Sequence, residues 1–305
     1  MTTAAPSTTD RKDRYPSRIQ PKPTLIPRLD PVVYGDRKSP PPGITPQQVV
    51  EYETRGFVVL KGLFERFEIE HYQKELEGLS NDAGLQDCLE AITEPDSHEL
   101  RSLFSFHTLG AGLMPLAKSL QLVEIARYLL DDDVYIHQSR INLKPGFRGK
   151  GFYWHSDFET WHVEDGMPRM QALSMSIALT ENTTHNGPLM LMPGSHNDYV
   201  TCVGETPANN YKSSLKSQEI GVPDDESLEK LYQRYGIATP TGPAGNVTIF
   251  DCNTMHGSGS NISPLPRSNA FMVFNALSNR VEEPFCHQAP RPEFIATRES
   301  ITPIV

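Results

Sequence analysis

Along the C-terminal half of this chain, apolar residues recur at every second position or in short unbroken runs. "VYIHQSRINLK" (134–144), "ALSMSIAL" (172–179), "GPLMLMPGSH" (187–196), "GNVTIFD" (245–251) and "NAFMVFNAL" (269–277) read as strands, with Gly, Pro and Asn between them. Earlier in the chain the spacing turns helical. Thr45-Pro46 starts a helix with proline at the first helical position, and Gly56 closes it. "GFVVLKGLF" follows as a short strand, then a second helix from Glu65 to about Leu79. Leu116, Leu120, Val123, Ala126 and Leu130 mark a further helix that ends in the acidic turn at Asp131 to Asp133. Helices followed by many short strands predict a mainly β chain with flanking helices (α+β), built as a barrel or jelly roll.

Residues 1–44 break this pattern. They carry many prolines and charges with no apolar period, and so predict an extended, partly disordered N-terminal arm. Residues 45–305 then form a single domain, interrupted by an insertion at about 197–243. The insertion's one helical pattern is "DDESLEKLYQRYG", in which Leu228, Leu231, Tyr232 and Tyr235 share a face. With 37% hydrophobic and 22% charged residues among 305, a sizeable core needs no covalent staples. Cys88, Cys202, Cys252 and Cys286 form no CxxC pair, which argues against a zinc knuckle or a redox dithiol. A net charge of −10 without a basic stripe disfavours nucleic acid and anionic membranes as partners. No secretion signal and no run of 18 apolar residues is seen, so a reducing cytoplasm is the expected compartment. The assembly state is open, with a homodimer among the options.

The chemistry concentrates in "FYWHSDFETWHVEDGMP", residues 152–168. His155-Ser156-Asp157 is an H-x-D step, and on extended backbone residues two apart point the same way. His256, just past the strand "GNVTIFD", is the best third ligand. Two histidines and a carboxylate on one face of an ion leave positions open, as in non-haem Fe(II) oxygenases, whereas structural zinc closes its shell with a fourth protein ligand. Alone, H-x-D fits a hydrogen-bonded surface pair equally well. His162 is a weaker ligand candidate, since an extended chain would carry it far from His155. His107, His137, His185 and His196 are expected to be structural or at the surface. Glu159, Glu164 and Asp165 are expected as loop and surface charges.

Arg267 heads a strand on which it shares a side with Asn269 and Phe271. An inward arginine needs an anion, and its planar fork suits a carboxylate; a structural ion pair is the competing explanation. Gln138, Arg140, Asn142 and Lys144 likewise project together, opposite Ile141 and Leu143. A polar row on a central strand is either solvated or functional.

H-x-D at 155–157, "NGPLMLMPGSH" at 186–196, His256 and Arg267 together resemble the phytanoyl-CoA dioxygenase superfamily of Fe(II)- and 2-oxoglutarate-dependent oxygenases. Within it, residues 152–168 followed by "MQALSMSIAL" are similar to the ectoine hydroxylases. The resemblance spans roughly 45–290. It implies a double-stranded β-helix (jelly-roll, cupin-like) core, with Fe(II) held by His155, Asp157 and His256. It also implies 2-oxoglutarate contacts at Lys144, Asn142, Ser258 and Arg267, with O2 as the oxidant. Ectoine contacts are implied at Gln138 and Trp161, and a cavity lined by Phe152, Phe250 and Phe271, with Thr160 and Phe104. Ectoine is a small ring bearing a cationic amidine and a carboxylate, which aromatic faces and a few polar groups can hold. Core packing is the competing explanation for Phe250 and Phe271. The activity implied is hydroxylation of ectoine to 5-hydroxyectoine with release of succinate and CO2. A related oxygenase acting on another small molecule or acyl thioester, a zinc hydrolase and a non-catalytic binding protein stay open at this point.

Overall fold

The first long helix forms where its local signals agree. Thr45 caps Pro46–Arg55 (α1) in a reciprocal capping box with Gln48, and Gly56 ends it at φ 75°, in the left-handed region that glycine adopts freely. In the computed structural model, which describes residues 12–80, 84–85, 88–94, 99–109, 111–216 and 218–304, the strands are Leu25–Pro27 (β1), Phe57–Leu60 (β2), Ala91–Thr93 (β3), Leu100–Phe104 (β4), Val134–Lys144 (β5), Phe152–His155 (β6), Ala172–Ala178 (β7), Leu189–Leu191 (β8), Asp198–Val200 (β9), Val247–Asp251 (β10), His256–Ser258 (β11) and Arg267–Ala276 (β12). The remaining helices are Arg66–Ser80 (α2), Phe106–Leu109 (α3), Met114–Ala117 (α4), Leu120–Leu130 (α5), Asp157–Asp165 (α6), Tyr211–Ser214 (α7) and Asp225–Tyr235 (α8).

The strands form a seven-stranded antiparallel sheet in the order β2-β10-β7-β12-β5-β4-β3, a three-stranded sheet β6-β11-β8, and the pair β1-β9. This is the jelly roll expected from the strand pattern. One face of the large sheet presents Leu173, Met175, Ile177, Ile249, Met272 and Phe274 to α1, α2 and α5, and this layer is the main core. The opposite face turns toward the small sheet and carries Ser174, Ser176, Asn269 and Arg267 instead. Every residue of β7 is buried because both faces are covered.

A bulge explains how one strand serves both purposes. Pairing between β12 and β5 runs Val273 to Gln138 and then Phe274 to Ile136, leaving His137 unpaired. Val134 and Ile136 point into the main core before this step, and Ile141 does so after it. The extra residue switches the alternation, so Gln138, Arg140, Asn142 and Lys144 all turn to the inner face.

Several expectations need correction. The described part of the N-terminal arm is not loose: Tyr15 and Val33 are buried, β1 pairs with β9, and Arg28 forms a buried ion pair with Asp251 at 2.7 Å. Residues 1–11 lie outside the described residues. The strand expected over 187–196 is only β8, followed by a turn through Gly194 at φ 90°. In α8, Leu228 and Leu231 are buried while Tyr232 is exposed. Residues 157–165 form a helix, where an acidic loop was expected. Of its acids, Glu159, Glu164 and Asp165 are 1%, 5% and 1% exposed, so they are core groups and not surface charges.

Candidate active site

The three expected metal ligands meet. His155 ends β6, Asp157 opens α6, and His256 opens β11 directly opposite His155 in the antiparallel register. H-x-D is therefore a strand-to-helix corner, not two steps of one extended segment, yet the side chains still converge. One ligand atom from each lies within 4.8 Å of the others. His155 Nε2 is 3.7 Å from Asp157 Oδ1, and His256 Nε2 is 3.8 Å from Oδ2. Each imidazole places Nδ1 on a backbone carbonyl, Tyr153 O at 2.7 Å and Thr254 O at 2.9 Å. Those bonds fix the tautomer with Nδ1 donating, so both Nε2 lone pairs aim inward, and His256 Nε2 has no hydrogen-bond partner among the described residues. Ser174 Oγ donates to Asp157 Oδ2 at 3.1 Å, which orients the carboxylate.

The electrostatics suit a cation. Burial, assisted by His256, brings the His155 imidazole down to about 4, and burial also lowers His256. Both are thus neutral ligands at pH 7. Burial pushes the Asp157 carboxyl up, but His256, His155 and Arg140 outweigh it and hold it below its usual range. An ionised carboxylate, two neutral imidazoles with free inward lone pairs and an open side are a fitting donor set for Fe(II).

Two cavities flank the triad and share Arg140, Phe152 and His155 in their walls. The inner one lies between the two sheets. Asn142, Ser258, Arg267 and Phe271 line it together with His256. In the β5–β12 register Arg267 faces Lys144, Asn269 faces Asn142 and Phe271 faces Arg140, so the two polar rows noted in the sequence are cross-strand neighbours. Arg267 is 2% exposed, and its Nε and Nη1 have no partner among the described residues. Burial alone lowers its guanidinium to about 10. A buried, unpaired fork aimed into a cavity asks for a carboxylate. Lys144 donates to Gly259 O, and burial followed by repulsion from Arg267 and Arg101 brings its amine down to about 6.

The outer cavity adjoins Asp157. Gln138, Phe104, Thr160 and Trp161 line it, with Phe152 shared between the two cavities. Gln138 Nε2 is fixed on Ile295 O at 2.8 Å, and Thr160 Oγ1 is buried without a hydrogen-bond partner among the described residues. Phe250 and Phe271 belong to one apolar cluster with Leu189 and Leu191, and Phe250 packs on the His256 ring at 4.9 Å. Phe250 thus packs behind a ligand, and Phe271 lines the inner cavity. His162 bonds Met167 O and Asp13, and His137 bonds Asp165, so neither joins the triad.

Sequence reasoning missed four residues here. Arg140 stood on the polar row without a role; it lies over Phe271 at 5.2 Å, beside both cavities. Ser174 carries the only signal a buried serine gives, an inward position on an alternating strand. Glu164 and Arg291 line the outer cavity, and Arg291 is held by two bonds to Asp165 that, against burial, bring that carboxyl down to about 2. Nothing periodic around Arg291 marks it.

A family model described as phytanoyl-CoA dioxygenase (PhyH) matches residues 52–269. An ectoine dioxygenase from Sphingopyxis alaskensis is 54% identical over 287 residues, covering 94% of each chain. One from Stutzerimonas stutzeri is 52% identical over 293 residues, covering 96% of each. The crystal structure of EctD from S. alaskensis with 2-oxoglutarate and 5-hydroxyectoine superposes with a TM-score of 0.86 at 48% identity, over 96% of this chain and 97% of that one. Matching along nearly its whole length, with the triad at the meeting point of two cavities, the chain belongs to the phytanoyl-CoA dioxygenase family.

Proposed function

We propose that this chain hydroxylates ectoine to 5-hydroxyectoine, consuming 2-oxoglutarate and O2 and releasing succinate and CO2. The observation that carries the proposal is the joining of two unlike cavities at one ligand triad. One ends in an unpaired buried arginine; the other is walled by aromatic rings and paired charges. The relatives named ectoine dioxygenase match over nearly the full chain, which points to the same substrate.

When bound by His155, Asp157 and His256, Fe(II) supplies the coupling of 2-oxoglutarate decarboxylation to oxygen insertion. The protein's own part is positioning and exclusion of water. Arg267 takes the far carboxylate of 2-oxoglutarate in its fork, with Asn142 and Ser258 on the cavity wall and Lys144 as its cross-strand neighbour. Ser174 and the two carbonyl-bound Nδ1 atoms keep the ligands aimed. In the outer cavity the Trp161 face and Phe104 enclose the ring, Gln138 meets a polar edge, and Arg291 offers its cation to the substrate carboxylate. Residues 12–304 act as one catalytic unit, with the insertion contributing Ser214, Leu215, Gln218 and Ile220 to the outer wall.

The test is product analysis by mass spectrometry with ectoine, Fe(II), 2-oxoglutarate and O2 each left out in turn. Ectoine should gain one oxygen atom only in the complete mixture. If 2-oxoglutarate is consumed but ectoine is returned unchanged, the substrate assignment is wrong. If 2-oxoglutarate is not consumed under any condition, the oxygenase assignment fails.

A further inference from the structure

Helix α6 directs one stripe of side chains at the outer cavity. Asp157, Thr160, Trp161 and Glu164 stand at helical spacing and all line it. The first is a metal ligand and the next two belong to the expected substrate wall; Glu164 is unassigned. It is 5% exposed, and a carboxylate so placed costs free energy unless its charge is used.

Its surroundings satisfy one oxygen and leave the other. Arg18 Nη1 from the N-terminal arm donates to Glu164 Oε1 at 2.6 Å, and Asn210 Nδ2 from the insertion donates to the same oxygen at 2.9 Å. Among the described residues no protein group bonds Oε2. Arg18 also binds Glu159 through Nε at 2.9 Å and Nη2 at 2.7 Å. One buried cation between two carboxylates leaves the trio one negative charge in excess. By contrast, Arg291 in the same cavity is matched by Asp165, and Arg140 on its wall has Asp157 as its opposite charge. Counted over these groups the cavity lacks one positive charge, at the place where Glu164 faces it.

We infer that Glu164 Oε2 receives the cationic amidine of the substrate, which makes Glu164 the residue that selects a cationic ring over a neutral one. This rests on the ectoine reading above and names the group that reads the substrate's charge. Arg18 and Asn210 are positioning residues: by holding Oε1 they present Oε2 to the cavity. Arg291 and Glu164 then form opposite-signed contacts for a zwitterion, carboxylate on one and amidine on the other. Gly221 of the insertion lets this cluster close, since a Cβ there would lie 2.2 Å from Arg18 Nη2.

The test is Glu164→Gln, which keeps shape and hydrogen bonding and removes only charge. Steady-state hydroxylation by wild type and E164Q is followed with varied ectoine, alongside competition by a dihydro-oxazine analogue that has oxygen in place of the ring N–H and no amidinium. Loss of a charge-assisted hydrogen bond should raise the KM for ectoine about tenfold or more. Half-saturation by 2-oxoglutarate and inhibition by the neutral analogue should stay at wild-type values. An unchanged KM for ectoine overturns the inference, and so does equal weakening of ectoine and the analogue, which would mark a structural role. Should E164Q not fold, the wild type decides: ectoine must bind at least about tenfold tighter than the analogue, and equal affinity overturns the inference. A wild type that consumes 2-oxoglutarate but never hydroxylates ectoine instead refutes the substrate assignment, and the inference falls with it.

Discussion

Replacing Arg267 by lysine isolates what the fork contributes to cosubstrate binding. Arg267 is buried, its Nε and Nη1 are unpartnered among the described residues, and its cross-strand neighbour is Lys144. A guanidinium offers two parallel bonds to a carboxylate; an ammonium at the end of a shorter stem offers one. Losing one charge-assisted bond costs about 1.5–3 kcal/mol, hence a rise of roughly ten- to 150-fold in the KM for 2-oxoglutarate. A second loss follows from protonation. The same pocket already brings the Lys144 amine down to about 6 through burial and neighbouring cations. A second lysine there would also shed its proton near neutrality, whereas Arg267, at about 10, keeps its charge. The 2-oxoglutarate KM of Arg267→Lys should therefore climb more steeply as pH rises from 6 to 8 than that of the wild type, in which Arg267 keeps its charge and only Lys144 titrates. Initial rates of succinate formation with varied 2-oxoglutarate at saturating ectoine read both effects. A KM within the wild-type range, or one that falls with pH, would refute the placement of the cosubstrate carboxylate at Arg267.

Three further outcomes follow from the geometry. Ser174→Ala removes the hydroxyl that orients Asp157, and Fe(II) affinity measured by anaerobic titration should fall about tenfold or more. Arg28→Ala strands the buried Asp251 carboxylate, which costs about 3–5 kcal/mol, so the thermal midpoint should drop by about 6 °C or more. Lys144→Met removes a buried amine whose folded value of about 6 lies below the ordinary lysine range. Between those two values the unfolded chain binds more protons, so wild-type stability falls as pH drops toward 6. The variant's stability advantage without cosubstrate should thus be largest near pH 6 and shrink toward pH 9, while its 2-oxoglutarate binding weakens; an advantage independent of pH would contradict the burial argument.

The two polar rows were legible because each rests on a local rule, whereas the triad residues converge although the extended H-x-D step expected for them is a strand-to-helix corner. Alternation on β5 and β12 puts Asn142, Lys144, Asn269 and Arg267 on one face, and the register makes them neighbours. The α6 segment was misread for a definable reason. Its apolar residues Phe158, Trp161 and Val163 are interleaved with acids and form no single stripe, so the acids resemble surface charges; their buried state depends on Arg18 and Arg291, far away in sequence, and on His137 at a bulge that only pairing reveals. The N-terminal arm was misjudged on the same ground. Its proline-rich composition describes local stiffness, while its order comes from long-range pairs such as Arg28 with Asp251 and β1 with β9. Phe250, a cavity residue only by the family resemblance, packs on the His256 ring, a contact its position on β10 does not reveal in the sequence.

The proposed function requires that His155, Asp157 and His256 jointly hold the iron that couples 2-oxoglutarate turnover to ectoine hydroxylation. Its most direct test is the simultaneous quantification of succinate and 5-hydroxyectoine formed by the wild type and by Asp157→Ala under identical conditions. The wild type should form the two products in equal amounts and the variant neither. Hydroxylation by Asp157→Ala at a rate near that of the wild type would contradict the account.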